Sequence, residues 1–171
     1  MTVVVLSIGS NVGDRLNHLQ SVVDGLRPAV RTVSPVFETD AWGGVEQGPF
    51  LNAVLIADAA DLDCADWLGR GQELERAADR VRETRWGPRT LDVDIVTCQD
   101  ATGEVHSADP TLTLPHPHAH ERAFVLVPWL AADPTAELTV DGVRRAVADV
   151  LADLDPSELR GVRPTDLSLR L

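Results

Sequence analysis

The order in which hydrophobic periodicity changes along the chain limits its fold more than any single motif does. Val3 to Ile8 is an apolar run broken only by Ser7, so it reads as a buried strand. Gly9-Ser10-Asn11-Val12-Gly13-Asp14 is turn chemistry that ends in a helix start. Leu16, Leu19, Val22, Val23 and Leu26 then recur at helical spacing, which predicts a helix to about Leu26. Val30 to Thr39 alternates with β-branched residues as a second strand. Asp40 to Pro49 carries the Gly and Pro of a loop, and Phe50 to Ala57 reads as a third strand. Asp63 to Arg80 is helical, with Trp67, Leu68, Leu74 and Ala78 on its apolar face and Asp63 as N-cap. Val81 to Pro88 is a polar loop, and Thr90 to Thr97 a fourth strand. The order β-α-β-β-α-β predicts an α+β fold with a ferredoxin-like sheet and two helices on one face. Additional C-terminal elements are expected: a short strand within 104–114, helices over Arg122–Leu130 and Arg144–Leu154, and a loosely packed tail after Pro156. The 171 residues fit a single domain, 1–171.

Charge narrows the function. The chain carries a formal net charge of −12, which disfavours general binding to nucleic acid or to an anionic membrane. No apolar stretch is long enough to cross a bilayer, and no basic segment precedes the first apolar run, so a cytoplasmic protein is expected. Lys is absent, so every fixed positive side chain is Arg, and Arg76, Arg80, Arg82, Arg85 and Arg89 crowd into one segment. That local excess on an acidic background points to a specific anion site. Cys64 and Cys98 form no Cys-x-x-Cys pair and read as two reduced, buried thiols.

The most informative stretch is Arg85-Trp86-Gly87-Pro88-Arg89-Thr90-Leu91-Asp92-Val93-Asp94-Ile95-Val96. Side chains alternate along a strand, so Asp92 and Asp94 share one face while Leu91, Val93 and Ile95 share the other. Carboxylates roughly 7 Å apart on one strand face repel unless a cation sits between them. Magnesium favours such oxygen ligands together with phosphate oxygens, so the pair suits a metal–nucleotide complex, with two metals as an option. Arg80, Arg82, Arg85 and Arg89 offer planar donor forks to phosphate. Interspersed Glu73, Glu75, Asp79 and Glu83 offer some of these arginines surface pairs instead, Arg76 above all. The Gly-x-x-x-x-Gly-Lys loop of P-loop enzymes is missing, so a nucleotide site here is of another kind. His116, His118 and His120 alternate; with Pro117 between the first two, a structural or phosphate-binding role suits them better than a metal triad.

With these residues in view, the chain resembles the 6-hydroxymethyl-7,8-dihydropterin pyrophosphokinases of folate biosynthesis. The run Arg85 to Val96 carries the resemblance. Gly9-Ser10-Asn11 with Gly13-Asp14, Phe50-Leu51-Asn52-Ala53, and Leu114-Pro115-His116-Pro117 followed by Arg122-Ala123-Phe124 extend it in order from Val3 to about Pro134. The resemblance implies transfer of the β,γ-pyrophosphoryl unit of ATP to the pterin's hydroxymethyl oxygen, releasing AMP. It implies that Asp92 and Asp94 hold two magnesium ions and that Arg80 and Arg82 are catalytic, closing over the triphosphate. Trp86 packs as the site closes; Arg89, His116 and Arg122 contact nucleotide phosphates; Gln72 and Glu75 lie where the nucleoside binds. On the pterin side, Phe50 and Phe124 sandwich the ring, Asn52 reads its hydrogen-bonding edge, and Thr39 and Asp92 adjoin it. The segment Asp40-Ala41-Trp42 departs from the family's proline-rich run, so Trp42 either caps the pocket or anchors its loop. ATP and the pterin are the implied partners, and a monomer is expected. A non-catalytic ligand-binding module leaves the paired aspartates unexplained, and a nuclease fits the acidic charge poorly.

Overall fold

The computed structural model describes residues 1–42, 47–79 and 90–171. In chain order it places β1 (Thr2–Ser10), α1 (Arg15–Leu26), β2 (Val30–Val33), β3 (Phe37–Thr39), β4 (Phe50–Ala59), α2 (Cys64–Asp79) and β5 (Asp92–Asp100). There follow β6 (Gly103–Glu104), β7 (Ser107–Asp109), β8 (Leu112–Leu114), α3 (Ala123–Ala132), β9 (Glu137–Val140), β10 (Val143–Ala146), α4 (Val147–Ala152), α5 (Pro156–Arg160) and β11 (Val162–Pro164). The loop expected over 81–88 and part of that over 40–49 lie outside the described residues.

The main sheet runs β11-β3-β4-β1-β5-β6, with β2 also paired to β4, and its pairs are antiparallel. β1 is central and holds β4 on one side and β5 on the other. The apolar stripe of α1 (Leu19, Val22, Val23, Leu26) and Trp67 of α2 pack on one face against Val4, Leu6, Ile8, Leu55 and Val93. On the other face α3 and α4 cover Val5, Val54 and Val96 through Leu126, Trp129, Val147 and Val150. The coarse expectation, helices layered on an antiparallel sheet, is what the structure holds.

Local chemistry sets the ends of the elements. Asp63 and Asp66 cap α2 reciprocally: each carboxylate accepts the other's backbone N–H, at 2.8 and 2.9 Å. The expected second strand is interrupted at Ser34-Pro35. Pro35 has no N–H to donate, and Ser34 Oγ instead accepts the Val54 N–H at 2.9 Å. Arg144 to Ala146 is not helical as expected. It pairs with β9 through a tight turn at Asp141-Gly142, both at positive φ (49° and 76°), and the helix starts only at Val147. The tail after Pro156 is not loose: β11 adds to the edge of β3, and Thr165 Oγ1 donates to the Val36 carbonyl at 2.7 Å.

The expectation of two separate reduced thiols is also corrected. Cys64 and Cys98 form a disulfide, their Cα atoms 6.1 Å apart. Val96 follows the alternation onto the α3 face, and a register shift between Val5 and Leu6 then returns Cys98 to the α2 face, where it meets the start of that helix.

Trp67 anchors α2. Its ring is buried, and its Nε1–H donates to Thr2 Oγ1 at 2.8 Å, while Thr2 Oγ1 donates to the Leu62 carbonyl at 2.7 Å. Thr2→Val strands that indole N–H, so we expect a loss of about 1–3 kcal/mol in urea unfolding. Unchanged stability in Thr2→Val would show that this hydrogen bond does not fasten the helix.

Candidate active site

Strand register assembles the site. Gly9 lies opposite Asn52 on one side and Asp92 on the other, and Ser7 lies opposite Asp94. Asp92 and Asp94 are half-buried, whereas Leu91, Val93 and Ile95 are in the core, which is the alternation expected of β5. Gly9 belongs to β1 rather than to the turn expected there. Its lack of a side chain is required: a Cβ would overlap the Asn52 carboxamide and touch the Phe50 ring at 3.5 Å. The turn begins later, and Gly13 supplies its positive φ of 70°.

A cavity of about 300 Å³ opens above this point. Of the residues expected to form the site, Thr39, Trp42, Phe50, Asn52, Asp92, Asp94, His116, Arg122 and Phe124 all line it. Ser7, Gly9 and Asp40 line it as well and were not expected. Gln72 and Glu75 sit on α2 and are not among the lining residues. Arg80, Arg82, Trp86 and Arg89 lie outside the described residues.

Asn52 is buried and donates from Nδ2 to Thr39 Oγ1 at 2.6 Å. One amide hydrogen thus fixes the side chain, leaving the second hydrogen and the carbonyl oxygen for a ligand edge that both accepts and donates. Phe50, two residues before Asn52 and the first residue of β4, pairs with Thr39 across the ladder. Phe124 enters from the first turn of α3. The Arg122 guanidinium lies 4.8 Å from the Trp42 ring centroid and 5.4 Å from that of Phe124, so the cation stands against both aromatic faces. Trp42 is partly exposed at the rim.

His116 is fixed differently from the other two histidines. Its Nδ1 accepts the His118 backbone N–H at 3.2 Å, so in the neutral ring the proton sits on Nε2. Burial, the nearby Arg122 cation and His118 together push its pKa down to about 4. His118 instead pairs through Nδ1 with Glu121 at 3.1 Å, and His120 lies 3.7 Å from the same carboxylate.

Residues 5–134 match the family model described as 7,8-dihydro-6-hydroxymethylpterin-pyrophosphokinase (HPPK). A Mycobacterium tuberculosis protein named 2-amino-4-hydroxy-6-hydroxymethyldihydropteridine pyrophosphokinase is 58% identical over 168 residues, covering 95% of this chain and 89% of its own. Namesakes from Mycobacterium leprae and Aquifex aeolicus are 59% and 34% identical, covering 100% and 78% of this chain and 93% and 82% of theirs. Among solved structures, Plasmodium falciparum HPPK-DHPS wild type with SDX-DHP superposes with a TM-score of 0.61 at 12% identity. That likeness concerns the fold alone; it covers 88% of this chain, which spans only 44% of the longer one.

The depressed pKa of His116 gives a signed expectation. Its imidazole should stay neutral, with the proton on Nε2, from pH 7 down to about pH 5 in nitrogen-15 NMR. Because the unfolded chain takes up this proton first, near the ordinary imidazole value of 6.5, the contribution to stability falls as pH drops from there towards 4. Arg122→Ala should raise the pKa. A His116 imidazolium at pH 6 in the unliganded protein would refute the assignment.

Proposed function

The chain belongs to the 7,8-dihydro-6-hydroxymethylpterin-pyrophosphokinase family, and from that premise we propose that the cavity around Gly9 is where its reaction takes place. The reaction moves the β,γ-pyrophosphoryl unit of ATP to the hydroxymethyl oxygen of 6-hydroxymethyl-7,8-dihydropterin, yielding the pterin diphosphate and AMP for folate synthesis. The observation that carries the reading is the convergence of Asp92, Asp94, Asn52, Phe50, Phe124, His116 and Arg122 on one cavity from four separate stretches of chain.

The charge of the lining supports a metal-assisted site. Among the described lining residues, the carboxylates of Asp40, Asp92 and Asp94 face the single guanidinium of Arg122 and a neutral His116. A triphosphate cannot approach that surface without added positive charge. Two carboxylates on one strand face form a hard oxygen donor set that fits magnesium, and we assign Asp92 and Asp94 to hold two such ions. Bound magnesium supplies charge neutralisation and a template for in-line displacement. Arg80 and Arg82 are assigned to the triphosphate as catalytic residues, with Arg89 and Trp86 beside them. Gln72 and Glu75 are assigned to the nucleoside.

The chain's own groups do the rest. Phe50 and Phe124 hold the flat ring by stacking, and Asn52 with Thr39 orients it through its hydrogen-bonding edge. His116 Nε2–H donates to a phosphate oxygen without adding a full charge. We assign Arg122 two uses: it stacks against Phe124 and Trp42, and it moves to phosphate when nucleotide is bound. Its departure from the Phe124 ring frees that surface for the pterin, so one side chain links the two subsites. The strand order β5-β1-β4, with β2 and β3 sharing the far edge of β4 and two helices on one face, supports a ferredoxin-like core. We assign the chain to act as a monomer, in the cytoplasm where ATP is available.

Two experiments check this. Asp92→Ala and Asp94→Ala should each lower turnover by about 100-fold or more at saturating magnesium while the melting temperature stays near that of the parent, because both acids face the cavity. Near-parental turnover in either variant would remove the metal assignment. In calorimetry, a non-hydrolysable ATP analogue with magnesium should tighten pterin binding by about 5-fold or more, and Arg122→Ala should reduce that coupling. Independent binding of the two ligands in the parent would contradict the shared role of Arg122.

A further inference from the structure

The C-terminal residues lie beyond the part of the chain that the family model matches, 5–134, yet they reach both walls of the cavity. On one wall, α3 begins at Ala123 and its N-cap residue, Arg122, offers no side-chain acceptor. A helix's first N–H groups need acceptors from elsewhere. Glu158 of α5 provides one: its Oε1 accepts the Ala123 backbone N–H at 3.3 Å, and a carboxylate also suits the positive end of the helix dipole. The residues on either side of Ala123 are Arg122 and Phe124, both at the cavity.

On the opposite wall, β11 pairs with β3 so that Val162 lies across from Thr39. The Asp40 N–H donates to the Gly161 carbonyl at 2.9 Å, and Arg163 Nη1 donates to Asp40 Oδ1 at 2.9 Å. A recess of about 90 Å³ adjoins the main cavity where these contacts meet, shared by Thr39, Trp42 and Phe124 and floored by Glu158 and Gly161. Gly161 is the tight point. A Cβ there would come within 3.3 Å of the Glu158 carbonyl oxygen and 3.5 Å of Asp40 Oδ2. Its φ of −72° suits any residue, so a single methyl needs only a small adjustment there, whereas a larger branched side chain would press on Asp40.

We propose that residues 156–164 clamp the pterin slot: Glu158 sets the Phe124 wall through Ala123, and Gly161 with Arg163 sets the Thr39–Trp42 wall through Asp40. These are positioning residues. They hold the backbone of the two walls in place, so that the ring does not have to order it on binding. The proposal rests on the cavity being the pterin site.

The test compares Michaelis constants for the two substrates. Glu158→Ala should raise KM for the pterin about 10-fold and leave KM for ATP within about 2-fold. Glu158→Gln keeps an acceptor oxygen and should recover most of the loss, which general destabilisation does not predict. Gly161→Val should act like Glu158→Ala, and it gives the same readout if the latter variant does not fold. Arg163→Ala, an exposed pair, should change KM for the pterin by only about 2-fold. Asn52→Ala is the reference within the slot. If it binds pterin as well as the parent, the pocket reading falls and the clamp with it. If Asn52→Ala weakens pterin binding while Glu158→Ala and Gly161→Val leave it unchanged, or raise both Michaelis constants equally, the pocket stands and the clamp is wrong.

Discussion

The site depends on the pairing register between β1 and β5. With Ser7 opposite Asp94 and Gly9 opposite Asp92, the two carboxylates face the cavity while Leu91, Val93 and Ile95 enter the core. A slip of one residue would exchange the faces, burying two acids and exposing three apolar side chains. Burial of the apolar set therefore fixes the acids on the cavity side. The same register puts Gly9 beneath Asn52, where no other residue fits. Asn52 and the two aspartates thus sit on the two neighbours of one central strand, and their spacing is set by the width of the ladder.

Electrostatics sets the character of the cavity. The chain is acidic overall, and the described lining adds carboxylates to that background. His116 is held neutral by burial and by Arg122, so it offers direction more than charge. Arg122 itself rests on aromatic faces. Under the proposed function, an anionic substrate would compete with two rings for this guanidinium, and that competition would link nucleotide and pterin without a long-range pathway.

Much of this was legible in the sequence because it is local. Helical spacing gave α1 and α2, the Asp63 cap follows from an acid before an apolar periodic run, and alternation put Asp92 and Asp94 on one face. Nine expected site residues meet at the cavity because the family resemblance placed them; alternation alone reached only the aspartates. What escaped was long-range or small. Ser7, Gly9 and Asp40 line the cavity only because distant strands pair beside them. Cys98 reaches Cys64 only through a register shift that no periodicity reveals. The hairpin at Asp141-Gly142 did carry a signal, the Asp-Gly dipeptide, which the apolar pattern of Val147 to Leu154 outweighed. The ordering of the tail depends on the open edge of β3, which a linear reading does not show.

The account stands on one claim, that this cavity passes a pyrophosphoryl unit rather than a single phosphoryl group. The direct measurement is phosphorus-31 NMR of the protein with ATP, magnesium and 6-hydroxymethyl-7,8-dihydropterin. The predicted result is AMP appearing in step with a pterin diphosphate. Accumulation of ADP with a pterin monophosphate, or nucleotide turnover that does not depend on the pterin, would contradict it.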